Sequence, residues 1–180
     1  MAESREAEDV DWYTADIRGI IPLDQFKVSK NVQRLIRKQK YECRVDTAFR
    51  SVLEACANRE STWINDIILN SYQLLHQMGY AHSVEIYVED ELAGGLYGVS
   101  IGKAFFGESM FHSITDASKV AFYHFIKHLE QSGFYFVDAQ MHTNHLVSLG
   151  AREISREKYL NLLEKAVSEN EGNTWEKVSE

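Results

Sequence analysis

The chain has 180 residues, 44% hydrophobic and 12% aromatic, with a single proline, which is enough apolar material for one packed domain and argues against a disordered or fibrous chain. No apolar run reaches membrane-spanning length and the N-terminus is acidic where a secretory leader is basic then apolar, so the expectation is an unexported, cytoplasmic protein. The formal net charge of −8 disfavours a nucleic-acid partner only in total, because residues 1–11 carry −4 and residues 164–180 carry −3, and salt screens charges beyond about 8–10 Å.

Residues 1–11 read as a disordered acidic tail. Residues 12–57 read as a shortened N-terminal subdomain whose basic segment holds Lys27, Lys30, Arg34, Arg37, Lys38, Lys40 and Arg44 against Glu42 alone. Residues 30–38 are expected to be helical, and 47–57 form a second helix, with Ala48, Val52, Leu53 and Cys56 at helical spacing. Residues 58–168 read as the main domain. Its helix over 63–78 ends at Gly79, and alternation over 82–88 then marks a strand. A second strand runs over 92–101 and a third opens over 103–106. Thr115 or Asp116 caps a helix running to Ser132, whose apolar face includes Val120, Phe122, Phe125, Ile126 and Leu129. Residues 134–141 form a strand, 158–167 a last helix, and 169–180 a second acidic tail. The order implies a mixed α/β (α+β) sandwich, helices against a largely antiparallel sheet. Cys43 and Cys56 make no disulfide framework, which fits a reducing compartment.

Asp138 and Gln140 stand two apart in a strand and so share a face with Phe136, with Val137 and Ala139 on the other. Either Asp138 anchors Gln140, whose amide oxygen accepts a hydrogen bond from an incoming amine, or the two are a structural polar pair. Glu108, among Phe105, Phe106, Met110 and Phe111, suits recognition of a cation; it could equally be a cap or an ion-pair partner. Trp63, Tyr72, Phe105, Phe106, Met110, Phe122 and Phe125 could line an apolar pocket, though most such residues are core. Ser109 lacks the glycine at 111 that a nucleophile elbow needs. Gly94, Gly95 and Gly98 lack a phosphate-binding pattern and mark places where another backbone or a ligand comes close. His124/His128 and His142/His145 have no accompanying glutamate or thiols of a metal site.

Six segments together carry more: Thr62–Ile64, Gly79–Glu85, Gly94–Val99, Phe106–Phe111, Asp116–Lys119 and Ser148–Ile154. In order and nearly without gaps from Trp12 to Leu163, they resemble the leucyl/phenylalanyl-tRNA–protein transferase family. The resemblance implies a fold like that of the N-acetyltransferases, with aminoacyl-tRNA in place of the thioester and no metal or organic cofactor. It implies transfer of leucine or phenylalanine to acceptor proteins beginning with Arg or Lys, marking them for degradation. Asp138 and Gln140 match the family's catalytic pair and Glu108 its acceptor-binding acid. Tyr72, Leu96, Phe105, Met110, Phe122 and Phe125 would form the side-chain pocket, with Trp63 near the terminal adenosine and Trp12 matching an early family tryptophan. Lys27, Lys30, Arg34, Arg37 and Lys38 would meet the tRNA backbone, and a monomer is expected. Two departures stand out: a family segment ahead of this region is not seen, and Ala139 replaces a common cysteine. The rival readings are a CoA-dependent N-acetyltransferase, which needs a pyrophosphate loop not found after the 92–101 strand, and an inactive module that binds basic N-termini.

Overall fold

The computed structural model describes residues 3, 7–11, 13–26, 28–38, 40–59, 62–141, 143–168 and 175. In chain order these form β1 (Ile17–Pro22), a 3-10 turn (Leu23–Gln25), α1 (Lys30–Arg37), β2 (Glu42–Val45), α2 (Phe49–Ala57), α3 (Asp66–Gln77), β3 (Ala81–Val88), β4 (Glu91–Ile101), β5 (Ala104–His112), α4 (Ala117–Gln131), β6 (Phe136–Gln140), α5 (Asn144–Ser148), β7 (Arg152–Ser155) and α6 (Arg156–Ser168). The seven strands make one sheet in the order β2-β3-β4-β5-β6-β1-β7. Every pairing is antiparallel except β5 with β6.

Sequence neighbours divide between the two faces, as the pleat requires. Ile21, Leu96, Phe105 and Val137 join a core with α1 and α4. Their immediate neighbours turn the other way: Tyr97 packs with α2 and α3, and Ile20, Ala104 and Phe136 pack with Tyr159 and Ala166 of α6. α1 and α4 therefore cover one face, and α2, α3 and α6 the other. Gly94 is where α4 lands: a Cβ there would lie 2.8 Å from that of Ala117. Gly98 is equally confined, since its Cβ would meet the Phe106 carbonyl oxygen at 2.2 Å. These two glycines mark close backbone approach, as their positions in a strand suggest.

The segment ahead of residue 47 is more ordered than its polar composition implies. Its Ile17–Pro22 run is a strand in the sheet between β6 and β7, and residues 42–45 add an edge strand beside β3. Four- to six-residue strands give little periodicity to read. Asp116 stands at the N-cap of α4 but caps nothing with its side chain; its φ is +68°, and its carboxylate instead receives Lys119 Nζ at 2.6 Å and Asn31 Nδ2 at 2.7 Å, tying α1 to α4. Of the acidic tails, residues 3 and 7–11 of the first and residue 175 of the second are described. Of the parts within them, Ala7 accepts a hydrogen bond from Asn65 Nδ2 at 2.8 Å, and Trp175 is buried on the α4 face, stacked on His82 at 4.3 Å and 5.5 Å from Phe105.

Candidate active site

β5 and β6 run parallel through only three pairs, Ala104–Phe136, Phe105–Val137 and Phe106–Asp138. Beyond Phe106 the strands part, β5 continuing beside β4 and β6 beside β1. Each carries a bulge just past the parting. Opposite Tyr97 and Gly98 the register jumps from Ser109 to Gly107, so Glu108 is the extra residue; opposite Gly19 and Ile20 it jumps from Gln140 to Asp138, so Ala139 is. A bulge re-aims a side chain that regular pleating would bury or expose. Glu108 is thereby turned into the opening.

The opening holds a cavity of about 220 Å³, smaller than the roughly 300–1,000 Å³ of drug-sized sites and suited to one amino-acid side chain. Leu96, Met110, Phe122, Phe125, Val137 and Ala139 supply its apolar wall, and Glu108 and Arg59 its charged edge. Four of the expected pocket residues are thus together: Leu96, Met110, Phe122 and Phe125. Phe105 and Tyr72 are not in this wall. Phe105 alternates into the core behind it, fully buried and T-shaped on Phe125 at 4.6 Å. Tyr72 comes from α3 on the opposite face, edge-on to Tyr97 at 5.4 Å, and reaches the site through its hydroxyl, which bonds Glu108. Trp63 packs with the α2–α3 core, away from the cavity wall. Trp12 and Lys27 lie outside the described residues.

Asp138 is fully buried and saturated. Arg18 of β1 grips it as a fork, Nε to Oδ1 at 2.9 Å and Nη2 to Oδ2 at 2.8 Å; the Tyr159 hydroxyl of α6 donates to Oδ2 at 2.6 Å. The remaining bond holds the neighbour: the Gln140 backbone N–H donates to Oδ1 at 2.8 Å. Gln140 has φ +60°, and Met141 N–H closes a three-residue turn on Ala139 O at 2.6 Å, a backbone form that is costly outside glycine. Asp138 therefore anchors Gln140 through the main chain. Phe136 and Asp138 share the α6 face as alternation implies, while the bulge and the turn swing the Gln140 amide across the opening, where Nε2 donates to Gly107 O at 3.1 Å.

Glu108 is bonded by the side chains of Tyr72 and Gln140. Burial raises its carboxyl above the usual range, those two bonds and the Arg18 charge pull the other way, and the Asp138 charge adds to the rise. Among the described residues no cation forms an ion pair with this carboxylate, so its burial is offset only by those bonds and the Arg18 charge. Burial likewise pushes the Cys56 thiol, behind Ser109, up to about 12. Among the described residues no three His, Cys, Asp or Glu side chains come together as a metal site would require.

Arg18, Tyr159 and Arg59 escape the sequence reading. Arg18 alone left a trace, a lone cation in an isoleucine-rich run. Lys30, Arg34, Arg37 and Lys38 are exposed along α1 and its C-cap, at spacings that share a helix face.

A parallel pair that splits in a mixed sheet, with a side-chain-sized cavity at the split and the Gln140 amide on a strained turn beside it, is the frame of an N-acetyltransferase-like fold. Among solved structures the chain is similar to FemX, with a TM-score of 0.57 at 10% identity over 89% of this chain and 66% of that one. It is also similar to a GCN5-related glucosamine N-acetyltransferase region of a fungal multidomain enzyme, with a TM-score of 0.55 at 12% identity over 77% of this chain and 20% of that one; these likenesses show the fold alone. A family model described as leucyl/phenylalanyl-tRNA protein transferase matches residues 20–164. Proteins of that name from Ruegeria sp. (strain TM1040) and Ruegeria pomeroyi are 46% and 47% identical, over 94% and 93% of this chain and 80% of each relative. The chain belongs to the leucyl/phenylalanyl-tRNA–protein transferase family. No described helix is long and apolar enough to cross a membrane.

Proposed function

We propose that the protein moves leucine or phenylalanine from aminoacyl-tRNA onto the N-terminal Arg or Lys of acceptor proteins in the cytoplasm, marking them for degradation, and that it works as a monomer. The observation that carries this reading is the meeting of a desolvated Glu108 carboxylate, the Gln140 amide and a side-chain-sized apolar cavity in one opening. The cavity takes the oily side chain of the donor. Glu108 pairs with the cationic side chain of the acceptor, as a guanidinium or ammonium satisfies a buried carboxylate. The α-amine then comes to lie beside Gln140.

The ester of the donor is already activated, so positioning is the main task. Gln140 Nε2 donates to Gly107 O, which turns the amide oxygen to accept from the attacking amine. The amine nitrogen forms its bond to the ester carbonyl carbon, the bond from that carbon to the ribose oxygen breaks, and the amine's proton ends on the departing ribose hydroxyl. Both oxygens of Asp138 are taken by Arg18, Tyr159 and the Gln140 N–H, so Asp138 serves as the positioning residue rather than the proton acceptor. Arg34, Arg37 and Lys38, with Lys30, meet the tRNA backbone.

Transfer of labelled leucine from charged tRNA to a peptide beginning with Arg tests the reading. Transfer that is lost in Gln140→Ala is the expected result. Peptide binding without any transfer by the wild-type protein would leave only a module for basic N-termini, and labelled acetyl delivered from acetyl-CoA instead would make it an acetyltransferase.

A further inference from the structure

Beside the cavity lies a groove of about 700 Å³, and the two share three residues: Arg59, Met110 and His145. We infer that this groove holds the sugar–phosphate strand of the donor's 3′-terminal nucleotides, with Arg59 as the contact to the phosphodiester ahead of the terminal nucleoside. The inference rests on the donor reading of the cavity above and extends it to the nucleotide.

The shared edge fixes the geometry. A donor whose side chain fills the cavity has its ester at the rim, and the nucleotide joined to that ester must leave across the rim. The groove is the adjoining space at Arg59 and His145. Its polar lining is Asn58, Arg59, His112, Ser113, Ser118 and His145, with no carboxylate, a composition that favours an anionic strand over an acceptor polypeptide of arbitrary sequence. Phe111 and Met110 add apolar surface of the kind on which bases rest.

Arg59 is exposed at the end of α2 and is steadied by its Nη2, which donates to Met110 O and to Ser109 Oγ. Among the described residues no carboxylate pairs with it, and a guanidinium has five N–H donors in a fixed fork. Lys119 follows Ser118 of the groove's lining, and with His112 it adds to burial in lowering the affinity of the His145 imidazole for a proton. Lys119 is tied through Asp116 to Asn31 of α1. The groove thus adjoins the reaction rim at Arg59 and His145, and its Ser118 side neighbours the residue that Asp116 links to the basic helix.

The test uses two non-reactive donors, 3′-leucylamino-3′-deoxyadenosine and the same compound joined through its 5′-phosphate to cytidine, with dissociation constants measured by calorimetry on the full chain. The wild-type protein should bind the phosphodiester compound about tenfold or more tighter, as charged hydrogen bonds allow. In Arg59→Gln that ratio should fall towards one, and Arg59→Lys, which keeps the charge without the fork, should retain part of it. A ratio of one in the wild-type protein, or a ratio that survives in Arg59→Gln, overturns the assignment. Both compounds are amides and cannot be transferred, so failure of the leucine-transfer assay with an intact ratio would remove the transfer reading alone. Failure of the wild-type protein to bind either compound would remove the groove and the leucine cavity together.

Discussion

Gln140 Nε2 and Gly107 O, 3.1 Å apart, bridge β6 and β5 just beyond the last rung of their parallel ladder. The bridge closes one end of the opening while the backbone beyond it stays apart. Gln140→Ala removes the bridge and the amide's bond to Glu108; a bond to a neutral partner is worth about 0.5–1.5 kcal/mol and one to a charged group about 1.5–3 kcal/mol. Its melting temperature should therefore fall modestly while single-turnover transfer falls by about 10²-fold or more, the scale on which a positioned polar group acts. Gln140→Glu sets a second carboxylate beside Glu108 and should be the less stable of the two; denaturant titration of both variants checks the order.

Glu108 gives the protein a pH signature. Its carboxyl is held above the usual value by burial, so protonation favours the folded state. That contribution is complete below the ordinary carboxylate pKa of about 4.3 and is lost as pH rises through the raised folded value. Glu108→Gln should thus match the wild-type protein in melting temperature at acid pH and exceed it at neutral pH. Affinity for a peptide beginning with Arg should rise with pH over the same window, and Glu108→Gln should abolish that rise and cost about 10- to 100-fold in peptide affinity at neutral pH. Equal affinity of the two proteins for the peptide at pH 7 would sink the role given to Glu108.

Asp138 is the most heavily bonded carboxylate of the site. Arg18→Met strands it without its fork inside the protein and should destabilise by about 3–5 kcal/mol in urea unfolding. Tyr159→Phe removes one charged hydrogen bond and should cost about 1.5–3 kcal/mol. Because both act on Gln140 only through its backbone, the surviving folded fraction should lose turnover without losing peptide affinity.

The sequence made the core elements of the site legible through periodicity. The helix carrying Phe122 and Phe125 and the strand carrying Asp138 and Gln140 both stood out, since fifteen residues of α4 repeat their apolar face several times. β1 was lost because six residues ending in proline show neither clear alternation nor length, and Arg18 was lost with it. Phe105 illustrates a different limit: alternation says that it leaves the face of Phe106, but only the sheet's partners decide whether that direction is cavity wall or the layer behind it. Tyr72 reaches Glu108 from a helix that packs on the sheet, a meeting of residues the one-dimensional order keeps far apart.

Trp175 was concealed by its acidic surroundings, yet it packs against His82, Phe105, His128 and Phe134. Trp175→Ala opens a cavity in that core and should cost about 3–5 kcal/mol. Since Phe105 backs Phe125, the variant should also lose discrimination between leucyl and larger aromatic donors, measured as a ratio of kcat/KM values.

The basic face of α1 makes a separate prediction. Arg34→Gln with Arg37→Gln and Lys38→Gln should weaken binding of charged tRNA and shallow its dependence on salt, each lost phosphate contact reducing the logarithmic slope by about 0.7–0.9. Affinity for the acceptor peptide should be unaffected, which filter binding and peptide titration distinguish.

The opening between β5 and β6 is made by main chain, through divergence after Phe106 and Asp138 and a bulge on either bank. Residues projecting into it can therefore be exchanged without remaking the scaffold. A lineage built on this frame is free to drift in what it carries and to what it delivers, so long as the parting of the two strands persists.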